Sequence, residues 1–297
     1  TTYVQDGDVV PVIAKVRDGR PIKLEENLIE GSAYAQGGTS ARAQACVLVL
    51  YDMFRLPYPQ HRVVKGNETK FDEIPTFEQF DKLVGDAMKA AGGTVAFLSS
   101  TIVSPSTKQI IGQFAGLKHV QYDAVSYSGM LMANDASAFG KKLPNYKFDA
   151  ADVIVSLDAD FLGSWLSPVE FAKGYSKGRK INEKDPKMSK HYQFESHLSM
   201  TGSNADERYT HRPSELGAVA LGLLNALNGS EPSGVNAKAA AGIKKAAADL
   251  NNHKGHALVV CGSNDKNIQV IVNAINNAIG AYGTTIDWGS PVNYRQG

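Results

Sequence analysis

Apolar positions along the chain switch between a two-residue and a helical period. Near the N-terminus "VVPVIAKVRDGRPIKLEEN" holds two alternating runs on either side of Asp18-Gly19, a strong two-residue turn signal, and predicts a β-hairpin. The stretch 29–59 is glycine-rich, then apolar, then studded with prolines, and reads as an irregular arm. From Thr76 the period changes. "TFEQFDKLVGDAMKAAGG" sets Phe80, Leu83, Val84 and Met88 on one helix face, with Thr76 and Gln79 at capping-box spacing. "TVAFLSS" then reads as a buried strand, "STKQIIGQFAG" as a second capped helix, "KHVQYD" as a short strand and "SGMLMANDASAFG" as a helix.

The second half repeats the alternation. "ADVIVSLDADFL" is a strand running into a loop, and "SPVEFAKGYSKGR" a helix with proline near its first turn. "SHLSMTGSNADERYTHR" mixes a loop with a short strand. Pro213 opens the apolar helix "PSELGAVALGLLNALNG", which ends at Asn228-Gly229. "NAKAAAGIKKAAADLNNH" is Ala/Lys-rich and predicts a helix with a largely solvated surface. "ALVVCGSNDKNIQVIVNAINNAIGAYG" is strand, loop and helix, with Ile268, Ile271, Ile275 and Ile279 at helical spacing, before an extended tail. Strands alternating with helices imply an α/β fold with mostly parallel sheets covered on both faces, plus the N-terminal β-hairpin arm. No repeat of 20–50 residues is visible.

With 297 residues the chain can bury a large core in one large or two smaller domains. A formal charge of +1, carried by scattered charges, argues against a dedicated nucleic-acid binder. No apolar run reaches the ~18–20 residues of a membrane span, and no signal peptide is seen. The chain opens on Thr1 and enters a strand-like segment at once, which reads as a processed chain or a fragment. Two cysteines, Cys46 and Cys261, are too few for a four-thiolate zinc site or an iron–sulfur cluster. Both sit in apolar runs and read as small buried hydrophobes. Whether they pair is left open.

Motifs that would announce chemistry are missing. There is no G-x-G-x-x-G, no phosphate-binding P-loop and no nucleophile elbow, and no H-E-x-x-H. His191 and His197 are too far apart for one helical turn, while His253 and His256 lie in a polar loop. Asp158 and Asp160 stand at the end of a strand, where α/β proteins place chemistry, but they read more simply as a loop start with turn hydrogen bonds. The densest polar stretch carries Glu195, His197, Asp206, Glu207, Arg208, His211 and Arg212. It suits a pocket, or an inter-lobe or subunit contact, with contact favoured. The loop after the last strand has a single glycine, Gly262, and carries Asp265 where an anion would sit against a helix N-terminus.

Four segments in order resemble the molybdopterin oxidoreductase family: "YDMFRLPYPQHRV", "FDEIPTFEQFDKLV", "AADVIVSLDADFL" and "NADERYTHRPSELGAVALGLLNAL". "NNAIGAYG" is similar to a late family element. Within that family, "GGTSARAQACVLVLYD", "LDADFLGSWLSPVEFAKGY", "SHLSMTGSNADERYTHRPSE" and "GSNDKNIQVIVNAINN" resemble the molybdopterin-like, iron–sulfur large subunits of bacterial alternative complex III, a quinol:electron-acceptor oxidoreductase of respiratory chains.

The resemblance implies a β-rich arm over 1–66, one αβα lobe from 67–120 with 255–297, and a second lobe over 121–254. It also implies partners: an iron–sulfur ferredoxin-like part and haem c subunits of a membrane-bound complex. The chain would then sit at the periplasmic face of the inner membrane, held by membrane subunits. The departures from the family matter as much. The N-terminal cysteine motif for a cluster is missing, and no cysteine stands near "YDAVSYSGMLMANDASAFG", where the family supplies a molybdenum ligand. Only Asp123 or Ser128 can be nominated there. The loops that would cradle a dinucleotide carry Asp158, Asp160 and Asp265. The expectation is therefore a non-catalytic scaffold with no cofactor, no metal and no catalytic residue of its own. The alternatives are an active molybdopterin-dependent oxidoreductase, or an unrelated Rossmann-like enzyme.

Overall fold

A computed structural model describes residues 1–5, 8–27, 38–93, 95–181, 183–184, 186–292 and 295. Residues 29–37 of the expected arm and part of the C-terminal tail lie outside these. Strands β1 (Thr2–Gln5), β2 (Asp8–Arg17) and β3 (Arg20–Glu26) form an antiparallel sheet in that order. Asp18 and Gly19 turn it with φ of 50° and 77°, the two positive values that let a two-residue turn follow the right-handed strand twist. Helix α1 (Ala41–Val49), capped by Ser40, lays Ala43 and Val47 on Tyr3, Val10, Val12 and Leu24 to make a small separate core.

A hairpin that the pattern did not announce follows, β4 (Gln60–Lys65) with β5 (Glu68–Glu73). Then come α2 (Phe77–Ala90), β6 (Val95–Ser99), α3 (Pro105–Gly112) and β7 (Leu117–Gln121). The strands β6 and β7 pair in parallel as a two-stranded sheet. Thr76 and Ser104 cap the two helices as side-chain acceptors, as the sequence of the first suggested.

The main body holds the larger core. Its elements are α4 (Ser128–Ala136), β8 (Leu143–Tyr146), β9 (Val153–Leu157), α5 (Pro168–Gly178), β10 (Lys190–Glu195), α6 (Met200–Ser203) and β11 (Glu207–Thr210), then α7 (Leu216–Leu227), α8 (Ala237–Asn252), β12 (Ala257–Cys261), α9 (Lys266–Ala278) and β13 (Ile286–Val292). Four strands form a parallel sheet in the order β11-β10-β9-β12. Every residue of β9 and β12 is buried, which is why "VIVSL" and "ALVVC" are almost wholly apolar. β13 pairs antiparallel with β8. The chain is a mixed α/β protein with parallel sheets and an N-terminal antiparallel hairpin, as expected.

Two expectations are corrected. The 257–261 strand, which the resemblance puts in a lobe with 67–120, pairs instead with β9, while α9 packs on α4 and α7 and β13 on β8. In sheet terms the C-terminal unit goes with the 121–254 segment. The reason is complementarity: β9 needs an apolar parallel neighbour on its open edge, and "ALVVC" supplies one. Helix α8 is also not largely solvated, since Ala239, Gly242, Ile243, Ala246, Ala247 and Leu250 are buried along one face. Alanines at that spacing allow close packing against α7 and the sheet.

Candidate functional site

The carboxyl ends of parallel strands are where open α/β sheets bind ligands. Here that edge is built from the exits of β9, β10, β11 and β12. The chain leaves β9 at Asp158, whose φ of 51° is unusual for a residue other than glycine. The strained turn aims its carboxylate across the sheet. The backbone N–H of Ser196 donates to Asp158 Oδ1 at 2.8 Å and the Ser196 hydroxyl at 3.3 Å. Two residues on, Asp160 Oδ1 accepts from Thr201 N–H at 3.0 Å and the Thr201 hydroxyl at 2.7 Å. These are long-range ties between the β9 and β10 exits, and they add to the local turn bonds the sequence suggested, among them Gly163 N–H to the Asp160 carbonyl at 3.1 Å and the Ser164 hydroxyl to Asp160 Oδ2 at 3.5 Å.

At the end of β10, Glu195 is buried and accepts from the Ser199 hydroxyl at 2.6 Å, from Gln193 Nε2 at 3.2 Å and from the Arg208 guanidinium. Burial pushes its acidity the other way, but the Ser199 and Arg208 contacts outweigh it and hold the carboxyl below the usual range. The ring of His211 is buried. Its Nδ1–H donates to the Arg212 carbonyl at 2.8 Å, and its Nε2, with no hydrogen-bond partner, faces Asp158 Oδ2 at 3.4 Å. Thr210, His211, Arg212, Glu215, Gly234, Val235 and Asn236 line an open cavity of about 560 Å³ beside β11.

The exit of β12 completes the edge. Gly262 lies so close to β9 that a Cβ there would stand 2.1 Å from the Asp158 carbonyl oxygen. Asp265 then caps α9, accepting from the N–H groups of Asn267 at 2.7 Å and Ile268 at 3.3 Å. Gln269 Nε2 donates back to the Cys261 carbonyl at 3.0 Å, and Asn264 Oδ1 accepts from Gly129 N–H at 2.7 Å, tying the loop to the start of α4.

The dense polar stretch does not act as one cluster. Glu195, Arg208, His211 and Arg212 gather toward the carboxyl edge. Asp206 instead accepts from His191 N–H at 2.7 Å and pairs with Arg179 at 2.7 Å, while Glu207 pairs with Lys190 and Lys245. His197 is exposed. Ser128 starts α4 beside Asn264, whereas Asp123 accepts from Thr101 N–H at 2.9 Å. His253 and His256 are exposed, and no group of three or more metal-ligating side chains occurs among the described residues. Cys46 and Cys261 are both free thiols, and burial pushes Cys261 up to about 12. Sequence reasoning missed Ser196, Ser199 and Thr201 as the partners of the carboxylates, and single hydroxyl residues in a polar loop give no signal for that role.

A molybdopterin dinucleotide presents a pyrophosphate, which wants free backbone donors. On this edge the N–H groups of Ser196, Thr201, Asn267 and Ile268 already bind carboxylates of the chain itself. Each such carboxylate would repel a phosphate at ~4 Å by about 1 kcal/mol in water and about 4 kcal/mol near a protein surface. These residues do not fit that group.

No protein-family model matches the sequence. No curated protein matches it either. In structure the chain is similar to acetylene hydratase from Pelobacter acetylenicus, with a TM-score of 0.61 over 98% of this chain at 13% identity. The match spans 44% of that protein, so this chain corresponds to less than half its length. At that identity the likeness is one of fold.

Proposed function

We propose that this chain is a non-catalytic, molybdopterin-oxidoreductase-like scaffold domain of a respiratory quinol:electron-acceptor oxidoreductase of the alternative complex III type. It binds no redox cofactor. Electron transfer belongs to neighbouring iron–sulfur ferredoxin-like and haem c subunits, which it holds in place at the periplasmic face of the inner membrane. One observation carries the reading: Asp158, Asp160 and Asp265 occupy the Ser196, Thr201, Asn267 and Ile268 N–H groups of the sheet edge from within. The distant structural similarity to a molybdopterin enzyme supports the fold origin, and the sequence resemblance supports the respiratory assignment. Among the described residues no helix is long and apolar enough to cross a membrane.

The test is metal analysis and pterin fluorescence on the purified protein, together with identification of what co-purifies from a native membrane extract. The expected result is no molybdenum, tungsten or pterin, and haem c and iron–sulfur subunits in the same particle. Stoichiometric molybdenum or pterin would overturn the scaffold reading in favour of an active molybdopterin oxidoreductase, with Asp123 or Ser128 as the polar ligand to examine first.

A further inference from the structure

Among the described residues from 48 to 126 no side chain is buried, although this stretch forms two helices and four strands. Neither core draws a buried residue from it. Helix α2 places Phe80, Leu83, Val84 and Met88 on one face as an amphipathic helix should, yet none of them is buried and Phe77 is 73% exposed. In β6 Leu98 is 67% exposed, and in α3 Ile110 is 56% exposed. Phe97, Phe114 and Val120 are exposed beside them. Helices of this length draw most of their stability from packing an apolar face, and a two-stranded sheet is not stable alone. Parallel strands occur almost only in sheets covered on both faces. The 255–297 segment, which the sequence suggested as the missing half, is used elsewhere, since β12 is bound to β9.

We propose that the 77–122 unit is half of a parallel sheet, completed by an α/β segment of further polypeptide that lays a parallel strand beside the β6–β7 pair and its helices over their apolar faces. The strand pair itself selects this occupant. A lipid surface would leave the outer N–H and C=O groups of both strands without partners. A second copy related by a two-fold axis would set like edges antiparallel rather than extend the parallel pattern. Further polypeptide has room in this fold, because the matched protein has more than half its length outside the matched part. The inference does not depend on whether the carboxyl edge of the larger sheet holds a cofactor.

Hydrogen exchange read by mass spectrometry tests it, on the isolated chain and on the assembly purified from its native source. Amides of 95–99 and 117–121 should exchange faster than those of β9 and β12 in the isolated chain, and slow by about tenfold or more in the assembly. Lys82, Lys89, Lys108 or Lys118 should then cross-link to a strand–helix segment outside residues 1–297. Leu98→Asp should leave the melting temperature of the isolated chain unchanged and abolish the added protection in the assembly. Full protection in the isolated monomer overturns the proposal. So does protection that rises with concentration through cross-links between copies, protection by lipid vesicles, or cross-links only to a partner without strands.

Discussion

His191 lies on one of the two buried faces of β10, its side chain in line with Gln193 and Glu195. Its Nε2 is 3.2 Å from Gln193 Oε1 and its Nδ1 is 3.1 Å from the Tyr175 hydroxyl, which donates to the Asn204 carbonyl at 3.0 Å. A neutral ring can donate to Gln193, but Nδ1 then competes with Asn204 for the one hydroxyl proton of Tyr175. An imidazolium would satisfy all three contacts, an advantage of about 1 kcal/mol. Burial acts against the charge, with Arg179 adding to it, and it wins: the ring is lowered from 6.5 to about 4 despite the Gln193 bond and the nearby Asp206 and Glu195 carboxylates. At about 1.4 kcal/mol per tenfold, that drop is worth about 3 kcal/mol. The unfolded chain takes up the proton near pH 6.5 and the folded chain only near pH 4. The contribution is therefore fully present above pH 6.5 and is lost as pH falls toward 4. Between pH 6.5 and 5 it amounts to about 2 kcal/mol. Glu195, Asp206 and Asp249, all held below their usual range, lose their contributions at lower pH, while burial raises the Glu170 carboxyl and gives it the opposite sign, so the imidazole is read from the difference between the wild type and a His191 variant. Urea unfolding across this pH window should give a steeper pH dependence for the wild type than for His191→Gln. Superimposable slopes, or a ring that titrates above 6.5 by NMR, would refute the reasoning.

Asp265→Ala removes the α9 cap and should cost about 1 kcal/mol, a fall of about 2–4 °C in melting temperature by calorimetry; an unchanged or higher value would show that the carboxylate does not hold those amides. Gly262→Ala sets a methyl against the Asp158 carbonyl, and chemical denaturation should register a loss of roughly 1–3 kcal/mol as β9 and β12 are pushed apart. Gly19→Val forces a branched residue into φ near 77° and should destabilise the arm by roughly 1 kcal/mol or more, seen as faster amide exchange in β2 and β3 while β9 and β12 are unaffected.

Where the chain buries apolar residues at a regular period, its sequence was readable. β9, β12, α7 and α9 fall where "VIVSL", "ALVVC" and their helical stripes put them, and Asp18-Gly19 turns as its dipeptide demands. β10 was not seen. Both its faces are buried, Tyr192 and Phe194 on one and His191, Gln193 and Glu195 on the other, so the polar half gives "KHYQFE" the look of a solvated loop, and only the partners Tyr175, Ser199 and Arg208 make that half tolerable inside. The β8–β13 pair was also invisible, because four residues including Pro144 give no period, and their partner lies about 140 positions away. The β4–β5 hairpin did carry a signal in Gly66-Asn67, but with nearly every side chain exposed it lacks the alternation that normally accompanies one. At the carboxyl edge the aspartates stood out, and their partners did not.

The register that joins Val153 to Ala257 also sets a clock on synthesis. β9 emerges from the ribosome with β10 and β11 close behind, but the strand that covers its other side comes roughly a hundred residues later. At ~5–20 residues per second, the nascent chain carries "VIVSL" as a bare, apolar sheet edge for about 5–20 seconds. Such an edge is a template for pairing with any extended chain nearby. Slow stretches of translation between codons 158 and 257 would lengthen that exposure, and the yield of soluble protein should depend on the pace at which this one interval is read.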